Sequence, residues 1–365
     1  KIMADLSIEV NGVKFPNPFV IGSGPPSTNS KTIIKAFDNG WGGVSAKTVS
    51  LTETPVINVA PRYGKLKTPN GEIIGFENIE LISDRTLEVW LDEFKMIKDA
   101  HPDKVLISSI MEKYNKDSWQ ELVGRIVETG VDMFELNFSC PHGHPEEGMG
   151  AAMGQNPDMV KEVTGWVAEV TDLPIWAKMT PDILDITKPA IAAMDGGAHG
   201  IAAINTIPSI LNVDLETLAP MPTVEGYSTP GGYSYYAVKP IALRMVSQLG
   251  IGVPDAEISG IGGVISSREA IEFILLGSST VQVCTGVMLQ GYEMVNEMCD
   301  GLSNFMEKHG FKTVREIVGH SLQYLTTHHD LAEKRLAKKA NAFGANRDNN
   351  WTGDIKKETD DLVSK

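Results

Sequence analysis

A cysteine stands where an apolar run breaks. Residues 136–150 read LNFSCPHGHPEEGMG, so Ser139, Cys140 and His142 lead out of a strand-like segment into a loop of acids and glycines. A thiol on such a loop suits general acid or base chemistry at a carbon centre, with His142 two residues away to tune it. Other chemistries compete at this point. Cys140, His142 and His144 could ligate a metal, but alternate loop residues with no second ligand cluster make a poor site, and no metal is expected. A nucleophilic cysteine needs an oxyanion hole and an orienting residue, and no matching set is apparent. A buried cysteine that merely ends the strand is the remaining alternative.

The elements that must position this loop repeat along the chain. Eight short apolar runs alternate with stretches of helical period: FVIGSG at 19–24, GVSAK at 43–47, VLISSI at 105–110, MFELNFS at 133–139, IWAKMT at 175–180, GIAAINT at 200–206, EISGIGG at 257–263 and TVQVCTG at 280–286. Continuous apolar strands separated by helices imply parallel pairing with both faces covered, and eight such units predict an α/β fold, the (β/α)8 TIM barrel. The rival, a doubly wound sheet, lacks its dinucleotide fingerprint, because GSGPPS at 22–27 has too few glycines at the needed spacing. The expected organisation is a barrel over residues 4–325, followed by a charged helical or disordered tail over 326–365.

In this fold the C-terminal ends of the strands form one face, where sites assemble from different loops. The run ends carry Ser23, Lys47, Asn137 with Ser139 and Cys140, Lys178, Asn205 with Thr206, Gly262 with Gly263, and Thr285 with Gly286. Two lysines suit an electron-accepting heterocycle, since an ammonium stabilises the negative charge that develops on reduction. Glycine pairs after the last two runs let backbone N–H groups approach a phosphate. A phosphorylated flavin needs both features. Each residue alone has a plainer reading: a solvated lysine, a tight turn at GIGG, Cys284 as a small core residue, Asn205 and Thr206 as a helix cap. Their joint placement carries the signal.

Composition narrows the partners. The 365 residues are 42% apolar, enough for a sizeable core, and the net charge of −15 from 47 acidic and 32 basic residues disfavours nucleic acid or an anionic membrane. No basic segment followed by an apolar stretch opens the chain, and no run of about eighteen uncharged apolar residues occurs, so a cytoplasmic location is expected. Cys140, Cys284 and Cys299 lack CxxC spacing, which argues against a disulfide framework, an iron–sulfur cluster or a structural zinc.

Several segments in fixed order resemble the pyrimidine-reducing domain of dihydropyrimidine dehydrogenases. They are DLSIEVNGVKFPNPF at 5–19, GWGGVSAKTVS at 40–50, SSIMEKYNKDSW at 108–119, NFSCPHG at 137–143, GQNPDMV at 154–160, WAKMTPDILDI at 176–186, AAINTIPSI at 202–210, VKPIALR at 238–244 and ISGIGGV at 258–264. The related dihydroorotate dehydrogenases share fewer of these words. The resemblance implies an FMN barrel that moves a hydride between the flavin and C6 of a pyrimidine, uracil or thymine, while a loop cysteine exchanges the proton at C5. On the matching positions, Cys140 is the acid/base thiol, with Ser139 and His142 beside it. Asn115, Asn137, Asn205 and Thr206 hold the pyrimidine, whose edge needs both donors and acceptors. Lys47 and Lys178 contact the flavin ring, and Ser23, Gly262, Gly263 and Thr285 its ribityl chain and phosphate.

The chain departs from the family in three places. In GGYSYY, Tyr235 stands where the family has glycine, so a phenol is expected to crowd the flavin phosphate or reshape the pocket. The ferredoxin-like CxxCxxC clusters of many relatives are missing, so a separate electron-transfer subunit (iron–sulfur or FAD, linked to NAD(P)H) or a soluble acceptor is expected. From Asp330 onward the chain is a charged tail. A homo-oligomer is also expected. Two alternatives stay open: a dihydroorotate-type dehydrogenase, for which Lys113, Arg125 or Arg244 would supply the cation for a substrate carboxylate, and a non-catalytic barrel that binds a pyrimidine or flavin.

Overall fold

The computed structural model describes residues 4–51, 56–138 and 151–340. The chain opens with an antiparallel hairpin, β1 (Ile8–Val10) and β2 (Val13–Phe15). Its turn is Asn11–Gly12, with φ of 52° and 79°, the backbone that the Asn-Gly pair adopts in two-residue hairpins. Phe15 stacks on Trp176 with ring centroids 6.2 Å apart and fills the space that a side chain at Gly43 would need.

There follow β3 (Phe19–Ile21), α1 (Ser30–Asp38), β4 (Gly43–Ser45), the hairpin β5 (Tyr63–Lys67) and β6 (Ile73–Asn78), α2 (Leu87–Ala100), β7 (Val105–Ile110), α3 (Lys116–Val127) and β8 (Met133–Asn137). After the loop come α4 (Ala151–Gly154), α5 (Pro157–Ala168), β9 (Ile175–Lys178), α6 (Thr187–Asp195) and β10 (Gly200–Ala203). Four short strands come next: β11 (Ile207–Ser209), β12 (Asn212–Val213), β13 (Pro220–Met221) and β14 (Gly231–Ser234). The remainder is α7 (Lys239–Gly252), β15 (Glu257–Ile261), α8 (Ser267–Leu275), β16 (Ser278–Val283), α9 (Thr285–Gln290), α10 (Met294–His309) and α11 (His328–Ala340).

Strands β3, β4, β7, β8, β9, β10, β15 and β16 close into a parallel barrel, with β16 paired to β3. These are the eight apolar runs, and the (β/α)8 expectation holds. The runs are continuous because barrel on one side and helices on the other bury both faces. In α3, for example, Trp119, Leu122, Val123 and Ile126 are fully buried, each worth about 1.5–3 kcal/mol of removal from water. Asn115 starts that helix, its Oδ1 accepting from the Ser118 amide at 3.0 Å. Asn29, Asn156 and Ser266 cap α1, α5 and α8 in the same way.

A second sheet, absent from the sequence expectation, is inserted between barrel strands. It is antiparallel, with order β11-β14-β6-β5, and joins the β4–α2 and β10–α7 connections across the C-terminal face. Thr206 therefore leads into β11, so the helix-cap alternative for Asn205 and Thr206 is not realised. Contacts divide the chain into Lys1–Leu322 and Gln323–Lys365, the second unit containing α11. Among the described residues no helix is long and apolar enough to cross a membrane, and no group of three or more His, Cys, Asp or Glu is placed to hold a metal.

Candidate active site at the strand ends

A cleft of about 1110 Å³, including its open mouth, lies at the C-terminal ends of the barrel strands. Ten of the run-end residues singled out in the sequence line it: Ser23, Lys47, Asn137, Lys178, Asn205, Thr206, Gly262, Gly263, Thr285 and Gly286. Parallel register brings several together, since Asn137 lies opposite Lys178, and Lys178 opposite Ala202. Asn115 does not join them. It is exposed and serves as the α3 cap, with Oδ1 also accepting from Ser118 Oγ at 3.1 Å. Ser139, Cys140 and His142 lie outside the described residues.

Each cleft lysine has a carboxylate. Lys178 Nζ is 3.1 Å from Glu135 Oε1 and 3.1 Å from Gln282 Oε1. Gln282 Nε2 donates to Glu135 Oε2 at 2.6 Å, and Ser45 Oγ to Glu135 Oε1 at 2.9 Å. A buried charge is tolerable only when paired and hydrogen-bonded in this manner. An ammonium has three donors, so two hold Lys178 in place and the third serves the cleft. Lys47 Nζ, past the end of β4, lies 3.0 Å from Glu80 Oε2. Tyr63 Oη also donates to Glu80 Oε2 at 3.0 Å, and Arg62 Nε is 3.4 Å from Glu80 Oε1.

The amides form their own chain. Asn205 Nδ2 donates to Asn137 Oδ1 and Asn137 Nδ2 to Thr48 Oγ1, both at 3.1 Å. Thr48 in turn meets Ser109 Oγ at 2.8 Å and Ser23 Oγ at 3.2 Å. These contacts fix which way each amide faces, so one wall of the cleft presents preset donors and acceptors.

The far end is bare backbone. Gly262 and Gly263 have φ of 139° and 79°. A Cβ on them would come within 2.6 Å of Ala242 Cβ and 2.8 Å of Lys239 Cβ, so only glycine leaves the amides uncovered here. Thr285 Oγ1 and Ser234 Oγ, 2.8 Å apart, complete the wall. Tyr235 lies beside them with φ 77° and ψ −165°. That backbone region is almost confined to glycine, so the tyrosine makes the turn glycine would make. The turn is kept, and the phenol lines the cleft.

The floor is also bare. A Cβ on Gly24 would meet Cys284 Sγ at 2.5 Å, and one on Gly22 would meet Ile261 Cδ1 at 2.8 Å. Burial pushes the Cys284 thiol up to about 11, against the opposing pull of Lys178 and Lys47, so it stays protonated at neutral pH and inert as a nucleophile. Bare glycine backbone for a phosphate and two ammonium groups for a ring together fit a flavin.

Sequence reasoning missed Glu135, Gln282, Glu80 and Tyr63, and also Tyr233, which lines the cleft. For the first two a signal existed: a charged or amide residue inside the apolar runs MFELN and TVQV must find a polar partner in the barrel. Glu80 and the two tyrosines belong to the inserted sheet and its flanks, which have no local signature.

The profile of the family described as dihydroorotate dehydrogenase matches residues 5–306. The chain is 54% identical to the chloroplastic dihydropyrimidine dehydrogenase (NADP(+)) of Arabidopsis thaliana, over 99% of this chain and 88% of that one. It is 45% identical to the NAD-dependent dihydropyrimidine dehydrogenase subunit PreA of Escherichia coli K12, covering 86% and 76%. With the catalytic subunit of dihydroorotate dehydrogenase B (NAD(+)) of Pyrococcus horikoshii the identity is 36%, over 87% and 98%. Among solved structures, DHODH from Eimeria tenella in complex with ferulenol superposes with a TM-score of 0.72 at 20% identity, covering 87% of this chain and 88% of that one, which speaks to the fold.

Proposed function

Since the chain belongs to the dihydroorotate dehydrogenase family and is a dihydropyrimidine dehydrogenase-like oxidoreductase acting on CH–CH bonds, we propose that it interconverts a pyrimidine, uracil or thymine, with its 5,6-dihydro form in an FMN cleft. The observation that carries this reading is the convergence of paired lysines, preset amides and bare glycine backbone on one cleft. Gly262, Gly263 and Thr285 would hold the phosphate, Ser23 the ribityl chain, and Lys47 and Lys178 the ring. Bound there, FMN supplies the exchange of a hydride with C6. Asn137, Asn205 and Thr206 hold the carbonyl and N–H edge of the pyrimidine. Cys140, three residues past Asn137, carries the proton to or from C5, with Ser139 and His142 beside it; its family position supports that role.

The dihydroorotate alternative needs a cation for the substrate carboxylate. Lys47 and Lys178 are already paired with Glu80 and Glu135, and Lys113, Arg125 and Arg244 are not among the residues lining the cleft. A neutral ring suits these surroundings better than an anion. Against the binding-only alternative stands the backbone of Tyr235, which keeps the glycine turn beside the cleft. The names of two relatives, each a subunit, support a separate electron-transfer subunit of the iron–sulfur or FAD type that draws on NAD(P)H. A homo-oligomer in the cytoplasm completes the proposal.

Anaerobic visible spectra of the protein with dihydrouracil and, in parallel, dihydroorotate test this reading. Loss of the flavin band near roughly 450 nm with dihydrouracil alone is the expected result. Bleaching by dihydroorotate alone would favour the alternative, and a protein without a flavin band even after reconstitution would overturn the cofactor assignment.

A further inference from the structure

Each of the two ammonium groups that line the cleft is paired with a carboxylate, and nothing in the hydride or proton chemistry requires the carboxylates. Glu135 is wholly buried in the barrel, and the Glu80 side chain is 4% exposed. Burying an acid costs several kcal/mol unless the charge is compensated, and apolar residues would line these positions more cheaply if packing were the only demand. Each acid instead lies about 3 Å from a lysine that lines the cleft. A ring that takes up electrons gains negative charge, and a nearby cation stabilises that charge in proportion to its net field. A carboxylate on the cation reduces that field.

Resting on the flavin reading above, we propose that Glu135 and Glu80 set the reduction potential of the bound flavin by neutralising Lys178 and Lys47. They are positioning residues and need not touch the flavin. The two are not equal. Glu135 acts on Lys178 inside the barrel, away from water, whereas Glu80 is shared with Arg62, whose side chain is 35% exposed, so its field is partly spent and screened. Removing the Glu135 charge should therefore raise the potential more than removing that of Glu80.

The test is a potentiometric titration of the flavin-loaded protein and its Glu135→Gln, Glu80→Gln and Tyr63→Phe variants. Tyr63→Phe removes a hydrogen bond to Glu80 without changing charge, so it reports what an altered cleft wall does when no charge is lost. At the solution potential that leaves the unaltered protein half reduced, Glu135→Gln is expected to stand at about ten parts reduced to one oxidised or higher, the scale of one charge at an effective dielectric near 20. Glu80→Gln should stand at about three to one, and Tyr63→Phe should stay at one to one. Should the barrel variant fail to fold, Glu80→Gln carries the same sign at the rim. Glutamine variants that remain half reduced, become more oxidised, or move no further than Tyr63→Phe overturn the proposal. An unaltered protein that takes up no flavin is a different result, seen before any titration, and would sink the cofactor reading itself.

Discussion

Lys178 and Lys47 face the same cleft, each about 3 Å from a carboxylate, yet they are held by different kinds of structure. Glu135 and Gln282, on the barrel strands β8 and β16, clamp Lys178 in an interior that water does not reach. Glu80, which holds Lys47, follows the inserted strand β6 and is shared with Tyr63 and Arg62 near the surface. The barrel thus fixes groups by mutual burial, where losing one partner strands the other. Beside the inserted sheet, Glu80 has a second cation in Arg62, whereas Glu135 without its lysine would keep only the neutral Gln282 and Ser45, so the rim can absorb change.

The largest effect belongs to neither region. Cys140→Ala, on the loop that leaves β8, should cut turnover by roughly two to four orders of magnitude with flavin content intact; steady-state rates beside the flavin absorbance would show it, and unchanged turnover would remove the thiol from the chemistry. Next comes the contrast between the lysines. Lys178→Met strands Glu135 in the barrel and should cost about 3–5 kcal/mol in denaturant unfolding, whereas Lys47→Met leaves Glu80 with Tyr63 and Arg62 and should cost about 1 kcal/mol. Equal losses would erase the distinction drawn here. Asn205→Ala removes a barrel-end amide and should weaken pyrimidine binding by about 1–3 kcal/mol, read by titration calorimetry.

Two smaller effects probe the inserted sheet. Burial pushes the Glu77 carboxyl on β6 above its ordinary 4.5, against the hydrogen bond from Ser209. An acid raised on folding adds stability that is full below its unfolded value and is lost as pH rises through the folded one. Glu77→Gln cannot titrate, so its melting temperature should gain on that of the unaltered protein between pH 4 and pH 8, by about 2 °C; a gain that shrinks with rising pH would contradict the assignment. Smallest is Tyr235→Gly. Relief of about 1–3 kcal/mol of backbone strain is offset by about 0.4–1 kcal/mol of added unfolded-chain freedom, which leaves a net gain of about 1 kcal/mol in denaturant unfolding. A loss would show that the phenol packs more tightly than the strained turn costs.

The two regions also differ in how far the sequence reveals them. Barrel strands are legible because burial on both faces demands unbroken apolar runs, and Lys178, Asn137 and Gly262 stand out as polar or bare positions at the ends of such runs. The inserted sheet is short, glycine- and proline-interrupted, and made by pairing across the chain: Asn78 meets Gly232, 154 positions away, so no local pattern announces it. Tyr235 could be noticed as an oddity, but that its backbone keeps the glycine turn shows only in the folded chain, where its carbonyl oxygen lies against Gly263. Asn115 shows the converse, since its family position predicts a pyrimidine contact while local hydrogen bonding gives it a helix to cap.

A crystal structure of the protein with FMN and uracil tests the central claim most directly, that the strand ends of the barrel hold the cofactor and the amide wall holds the substrate. The account predicts the phosphate on Gly262, Gly263 and Thr285, the flavin ring against Lys47 and Lys178, and the uracil edge on Asn137, Asn205 and Thr206. A phosphate bound elsewhere, or a pyrimidine that makes no contact with those amides, would contradict it.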